Sequence, residues 1–339
     1  MILKANQPKK NGRVFSLKAW LKALWSFSRP HTIVGTSLSV VGLAVMALAL
    51  TPSLNSSGTF LLNNAQAWNP GVIILAILAA LIPSLCANVY IVGLNQLTDV
   101  AIDRINKPQL PLASGQFSLK EGRWIVFGLG GLALFLSILQ GPILFGTVLL
   151  SMVIGTVYSL PPVRLKQFPF WAALCIFGVR GLIVNLGFFA HFRQFLGANS
   201  AEIALIQSIP PEVWALTLFV VLFAFAIAIF KDIPDIKGDR QFQIRTLTVR
   251  LGSQFVFSLS RWVLTLSYVL LIGLTLLGTL PSIQTLFLVA VHLGLLGLMW
   301  GVSFRVNLQE QSQVSRFYQF IWRLFFLEYI LFPMACFIG

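Results

Sequence analysis

The chain has 339 residues, of which 57% are hydrophobic and only 10% charged, with a mean hydropathy of +0.85. A water-soluble domain of this length cannot cover its surface with so little charge, so most of its solvent is lipid. The net charge of +14 would suit a nucleic-acid partner only as a patch on a soluble face, and no such face is available; the partner it implies is the bilayer.

Residues 1–30 form a basic, polar N-terminal segment carrying Lys4, Lys9, Lys10, Arg13, Lys18 and Lys22. It has neither the apolar core of a cleavable signal nor the Ser-rich character of a transit peptide. From residue 31 to 339 the chain reads as a single domain. Apolar runs near 31–50, 72–94, 124–140, 143–160, 170–191, 212–230, 257–278, 282–301 and 317–338 are each long enough to cross about 30 Å of hydrocarbon. The expected fold is an all-α polytopic membrane protein, with nine transmembrane helices around a central cavity. The turn at Gln140-Gly141-Pro142 is very short for a helix hairpin. Cys86, Cys175 and Cys336 are scattered through apolar runs without metal spacing and read as reduced packing residues.

The basic residues fix an orientation. If the N-terminus is cytoplasmic, the inside segments carry nearly all of the 24 lysines and arginines, and the opposite loops hold only Arg193. This is the positive-inside pattern, and it puts the C-terminus on the opposite side.

All five aspartates fall in two short stretches. Asn95-Gln96-Leu97-Thr98-Asp99-Val100-Ala101-Ile102-Asp103-Arg104 leaves the second span, and Lys231-Asp232-Ile233-Pro234-Asp235-Ile236-Lys237-Gly238-Asp239-Arg240 leaves the sixth. An even number of spans separates them, so both face the cytoplasm. Asn95, Asp99 and Asp103 step by four and share one face of a continuing helix; Asp232, Asp235 and Asp239 make a second stripe, distorted by Pro234 and Gly238. Carboxylates stacked beside hydrocarbon need cations, and hard oxygen donors without His or Cys suit Mg²⁺ bridging to phosphate. The candidate metal ligands and catalytic carboxylates are these five aspartates, with Asn95 as a further metal ligand.

Arg104, Lys107, Arg164, Lys166 and Lys231 are placed to bind phosphate oxygens, with Lys237 and Arg240 flanking. Arg164 and Lys166 follow a Pro161-Pro162 turn on the same face, and Tyr158 just ahead of it joins the substrate-binding set. Arg180 and Asn185 lie inside an apolar run, where a polar group marks a cavity or a partner; they too are candidate substrate contacts. His31 sits at the start of the first span and could face that cavity. An ion-coupled transporter also uses intramembrane acids, but near the midplane beside broken helices, whereas these lie at span ends.

The paired motifs, Asn-Gln-x-x-Asp-x-x-x-Asp and Lys-Asp-x-x-Asp-x-x-Gly-Asp, in a nine-span chain resemble the intramembrane aromatic prenyltransferases of the 4-hydroxybenzoate polyprenyltransferase superfamily. Phe27-Ser28-Arg29-Pro30-His31-Thr32, 88–96, 103–108 and 317–322 resemble the homogentisate-prenylating branch in its cyanobacterial form. The resemblance implies two Mg²⁺ ions, one on each motif, bridged by a prenyl diphosphate such as phytyl diphosphate. It implies homogentisate as acceptor, loss of CO₂ and diphosphate, and a cyanobacterial plasma or thylakoid membrane as the site of action. A relative that prenylates chlorophyllide, or one using a donor of another length, carries the same acidic motifs, so these alternatives stay open.

Overall fold

The computed structural model describes residues 16–50, 69–196, 209–244 and 246–339; the lysines before Ser16 and the loops around 51–68 and 197–208 lie outside them. The described chain contains nine helices of 18 to 29 residues, each apolar enough to cross a membrane. They are α2 (Pro30–Leu50), α3 (Pro70–Thr98), α5 (Leu119–Leu139), α6 (Pro142–Ser159), α7 (Pro169–Phe195), α8 (Pro211–Phe230), α11 (Ser253–Leu276), α12 (Thr285–Ser303) and α13 (Gln311–Phe337). Four short helices lie outside the spans: α1 (Leu17–Phe27), α4 (Val100–Asn106), α9 (Asp232–Gln241) and α10 (Leu247–Leu251). Every expected span is present.

Local chemistry sets the boundaries. Ser118 and Glu121 form a reciprocal capping box at the start of α5, satisfying two otherwise unpaired backbone donors. Gly141 takes φ +100° between α5 and α6, a conformation that costs glycine little, and Pro142 starts the next helix. That is how so short a turn reverses a hairpin. α8 is the most enclosed span, with 72% of its apolar window buried; it packs on α7, α11 and α13, while α2 packs on α3, α7 and α13. Phe219, Phe223, Tyr268, Phe325 and Phe332 fill the centre.

From Ser16 onward the N-terminal segment is helical, which its basic composition does not suggest. In α1, Leu17, Trp20, Leu21, Leu24 and Phe27 recur at helical spacing, and Ser16 caps the start by accepting from the Ala19 N–H. Ala23 and Phe27 are buried against Val89, Leu94, Phe117 and Val126; full burial of Phe27 contributes about 2 kcal/mol. Gln96 of α3 donates to the Phe27 carbonyl at 2.7 Å, pinning the α1–α2 corner beside the first acidic motif.

Candidate active site

All five aspartates line a single cavity of about 450 Å³, together with Arg29, His31, Asn95, Lys107, Tyr158, Lys166, Lys231 and Tyr318. Three of the acids are buried: Asp103 is 5%, Asp239 6% and Asp232 9% exposed.

The first motif departs from the single helix expected for it. α3 stops at Thr98, and Asp99 sits in a break with φ −114° and ψ 15° before α4 begins. The cause is tertiary. Arg164 donates to Asp99 Oδ1 at 2.9 Å, and Lys166 donates to Asp99 Oδ2 at 2.7 Å and Thr98 Oγ1 at 2.9 Å. Two cations from the α6–α7 connection thus hold the carboxylate out of helical register. The second motif breaks at Lys231, between α8 and α9, rather than at Pro234 or Gly238. Pro234 sits in the first turn of α9, where a missing N–H costs nothing.

The two motifs grip each other. Lys107 forms an ion pair with Asp235, and Asn106 Oδ1 accepts the Gly238 N–H at 2.9 Å. From below, Gln311 of α13 donates to the Pro234 carbonyl at 3.0 Å. Gly238 is required by this contact, because a Cβ there would meet Asn106 Oδ1 at 2.5 Å and Nδ2 at 2.6 Å. Gly238→Ala gains about 1 kcal/mol of helix propensity. It also forces the motifs apart, at a cost of about 1–3 kcal/mol for overpacking plus about 1 kcal/mol for the strained hydrogen bond. The expected outcome is a lower melting temperature in detergent and turnover reduced at least about tenfold, because Asp235 and Asp239 move with the helix.

Two arginines at the rim have left-handed backbones, Arg29 at φ 52° and Arg164 at φ 41°. Each conformation costs about 1–2 kcal/mol for a residue with a Cβ. One precedes Pro30 and reaches toward Asp103; the other reaches Asp99. Strain gathered at two side chains that face the acids is a signature of a working site.

The carboxylates lack countercharge. Burial, with help from Asp99 and Asp235 and against Arg29 and Lys107, pushes Asp103 up to about 6. Burial and the neighbouring Asp232 and Asp235 push Asp239 up to about 7. Burial lowers Lys166 to about 8 against the pull of Asp99. Asp103 Oδ2 is buried with no hydrogen-bond partner. Five carboxylates share the cavity, and the orphaned buried oxygen leaves a place for added positive charge. Among the described residues no three His, Cys, Asp or Glu side chains converge to hold an ion unaided. Asp232, Asp235 and Asp239 thus do not close into a cage by themselves: like charges repel, and Lys107, Arg164, Lys166 and Lys231 hold Asp235, Asp99 and Asp232. The donor set still fits Mg²⁺, which takes one or two carboxylates, waters and substrate phosphate.

A second chamber of about 250 Å³ adjoins the first, sharing Arg29, His31, Asn95, Tyr158, Lys231 and Tyr318. Its walls are mostly apolar, from Ile91, Val92, Val148, Ile154, Val179 and Trp322, with Thr32, Thr36, Asn88 and Arg180 among them.

Of the candidate contacts, Asn95, Lys107, Tyr158, Lys166 and Lys231 line the acidic cavity and Arg180 lines the apolar chamber. Arg164 stands behind Asp99 rather than in the cavity wall. Arg104 is exposed and points away, because it follows Asp103 on α4 and one residue turns it about 100°; Lys237 and Arg240 are exposed for the same reason. Asn185 does not reach either chamber: fully buried, it accepts the Tyr329 hydroxyl at 2.6 Å. Arg29, Asn106 and Tyr318 lie inside stretches that carried the resemblance, 27–32, 103–108 and 317–322, but motif reading gave them no role in the site.

Residues 49–324 match the model of the UbiA prenyltransferase family. The chain is 46% identical to the homogentisate phytyltransferase of Synechocystis sp., over 94% of this chain and 96% of that one. It is 36% identical to the chloroplastic homogentisate phytyltransferase 1 of Arabidopsis thaliana, over 97% and 80%. It is also 36% identical to the homogentisate geranylgeranyltransferase of Triticum aestivum, over 93% and 72%. Among solved structures it shares its fold with a UbiA homologue from Archaeoglobus fulgidus bound to GPP and Mg²⁺, with a TM-score of 0.57 at 16% identity covering 94% and 100% of the chains. A digeranylgeranylglyceryl phosphate synthase gives a TM-score of 0.58 at 19% identity, covering 94% and 99%. By its nine spans, its paired acidic motifs and a match along most of its length, the chain belongs to the UbiA prenyltransferase family.

Proposed function

We propose that the protein transfers a phytyl group from phytyl diphosphate to homogentisate, releasing diphosphate and CO₂ and giving a methyl-phytyl-benzoquinol. The observation that carries this is the joining of an acidic, cation-ringed cavity to an apolar chamber, the two environments that a lipid diphosphate needs. The names of the most similar relatives supply the acceptor and the donor.

Asn95, Asp99 and Asp103 would hold one Mg²⁺, and Asp232, Asp235 and Asp239 a second; bound there, Mg²⁺ supplies the positive charge that makes diphosphate a good leaving group. Arg29, Lys107, Lys166 and Lys231 donate to the phosphate oxygens, and Arg164 holds Asp99 in place for this. As the C–O bond breaks, its electron pair leaves with diphosphate and an allylic cation remains. The apolar chamber keeps water from that cation, while the ring faces of Tyr158 and Trp322 stabilise it. The electron-rich ring of homogentisate bonds to it and the displaced ring proton leaves. The acetate arm loses CO₂ and takes up a proton to become methyl. In this reading the acidic motifs face the cytoplasm of a cyanobacterial cell, as the basic loops argue.

The test is turnover of labelled homogentisate by the protein in lipid nanodiscs with Mg²⁺ and phytyl, geranylgeranyl or solanesyl diphosphate in parallel. Phytylated benzoquinol formed fastest from the phytyl donor is the expected result. Preference for another donor would correct the chain length alone, and prenylation of chlorophyllide without that of homogentisate would overturn the acceptor.

A further inference from the structure

Arg180 is the one basic side chain in the apolar chamber that does not also line the acidic cavity. It lies near the middle of α7, on a π-helical turn from Gly178 to Ile183. A cation at this depth is costly unless a negative partner meets it. None of the protein's own carboxylates does so among the described residues. All five aspartates line the other cavity. Of the three glutamates inside spans, Glu328 is bound to His292 at 3.0 Å, Glu212 accepts the Ser282 N–H at 2.9 Å, and Glu121 accepts the Ser118 N–H at 2.6 Å. What the fold offers Arg180 instead are the faces of Trp322 and Phe325, 5.1 and 5.6 Å from its guanidinium carbon. These hold the fork in position and leave its charge unneutralised.

We propose that Arg180 is the receptor for the carboxylate of the aromatic acceptor, fixing the ring in the apolar chamber with its reactive carbon toward the acidic cavity. The inference rests on the proposed reaction and names the subsite for its acceptor. The geometry gives the rest of that subsite. The His31 and Trp322 rings lie 4.9 Å apart beside Arg180, forming an aromatic wall. Across from them Asn88 donates to Thr32 Oγ1 at 2.9 Å and accepts from Thr36 Oγ1 at 3.5 Å, a polar group suited to phenolic hydroxyls. The cations nearer the mouth are already committed: Lys166 to Asp99, Lys231 to Asp232, and Arg29 toward Asp103. An acceptor carboxylate is therefore drawn inward, away from the diphosphate whose charge would repel it.

The experiment compares homogentisate with its neutral isostere 2,5-dihydroxyphenylacetamide as competing ligands, in wild type and in Arg180→Gln and Arg180→Lys. A paired charge-assisted contact in an apolar site corresponds to a preference of about 10- to 100-fold. Wild type is expected to prefer homogentisate to the amide by that factor. In R180Q the KM for homogentisate should rise by the same factor and the preference disappear, while the KM for phytyl diphosphate stays within about twofold; R180K should recover part of the preference. A structural role alone would lower melting temperature and both substrates' kinetics together, with the preference intact, and that result overturns the proposal. So does a wild-type enzyme indifferent to the amide, a comparison that needs no variant to fold. If wild type does not prenylate homogentisate at all, the proposed function has failed instead, which the wild-type assay reveals before any variant is made.

Discussion

Asp235→Ala and Asp99→Ala should each lower prenyl transfer by at least about 10³-fold while the protein still inserts and purifies, because each removes an acid from the wall where the diphosphate and its metal ions are held. The two variants should differ in stability. Asp235 is paired with one lysine, Lys107, whose side chain is 30% exposed and can turn to water. Asp99 holds both Arg164 and Lys166, and the Lys166 side chain is only 10% exposed. Losing Asp99 strands a nearly buried ammonium, at a cost of about 1–3 kcal/mol, so D99A should melt measurably below D235A. Turnover and thermal melting on the same preparations check both statements. Near-normal rates in both variants would refute the metal assignment.

Withdrawal of divalent cations should stop turnover completely and reversibly, with Mg²⁺ restoring it after EDTA. The cavity already gathers five carboxylates, Asp103 Oδ2 without a partner, before a diphosphate brings more negative charge. The pH dependence follows from the same imbalance. A carboxyl binds the metal only after losing its proton, and Asp103 and Asp239 hold theirs up to about 6 and about 7 in the metal-free protein. Both pKa values lie above the ordinary carboxylate value, so protons compete with Mg²⁺ across pH 7 to 6 rather than near pH 4. Apparent Mg²⁺ affinity should fall on acidification, by about tenfold per pH unit for each proton displaced. Titrating Mg²⁺ activation at pH 8, 7 and 6 measures it; an affinity flat over this range would mean that neither residue binds the ion.

The nine spans were legible because lipid imposes one strong rule, apolar runs long enough to cross it, and the basic loops propose a sidedness. The same parity argument put both acidic motifs on one face, and the fold brings them into one cavity. What sequence reading missed was set by contacts between distant segments. The break at Asp99 depends on Arg164 and Lys166, and nothing local to Thr98-Asp99-Val100 demands it. Helical periodicity placed Asp103 well, and the same periodicity turns its neighbour Arg104 about 100° away, so that residue's exposure was legible too. Arg29 lay within a recognised stretch, 27–32, without being given a site role; its place beside Asp103 comes from the corner that Phe27 and Gln96 hold. Asn185 misled for the opposite reason. A polar residue in hydrocarbon needs a partner, and here the partner is Tyr329.

The π-helical turn at Gly178–Ile183 has a bearing on how this chain can change over time. Such a turn is an α-helix carrying one residue more than its hydrogen-bond ladder can absorb. Deleting any residue there other than Arg180 would let the ladder close as an ordinary helix with the two halves of α7 still in register, while the side chains inside the turn, Arg180 among them, would be turned by up to about 100°. Arg180 would then swing off the chamber wall although every remaining side chain was unaltered. Along this stretch the spacing of residues matters as much as their identity, so exchanges of one apolar side chain for another are tolerable where a single-codon loss is not.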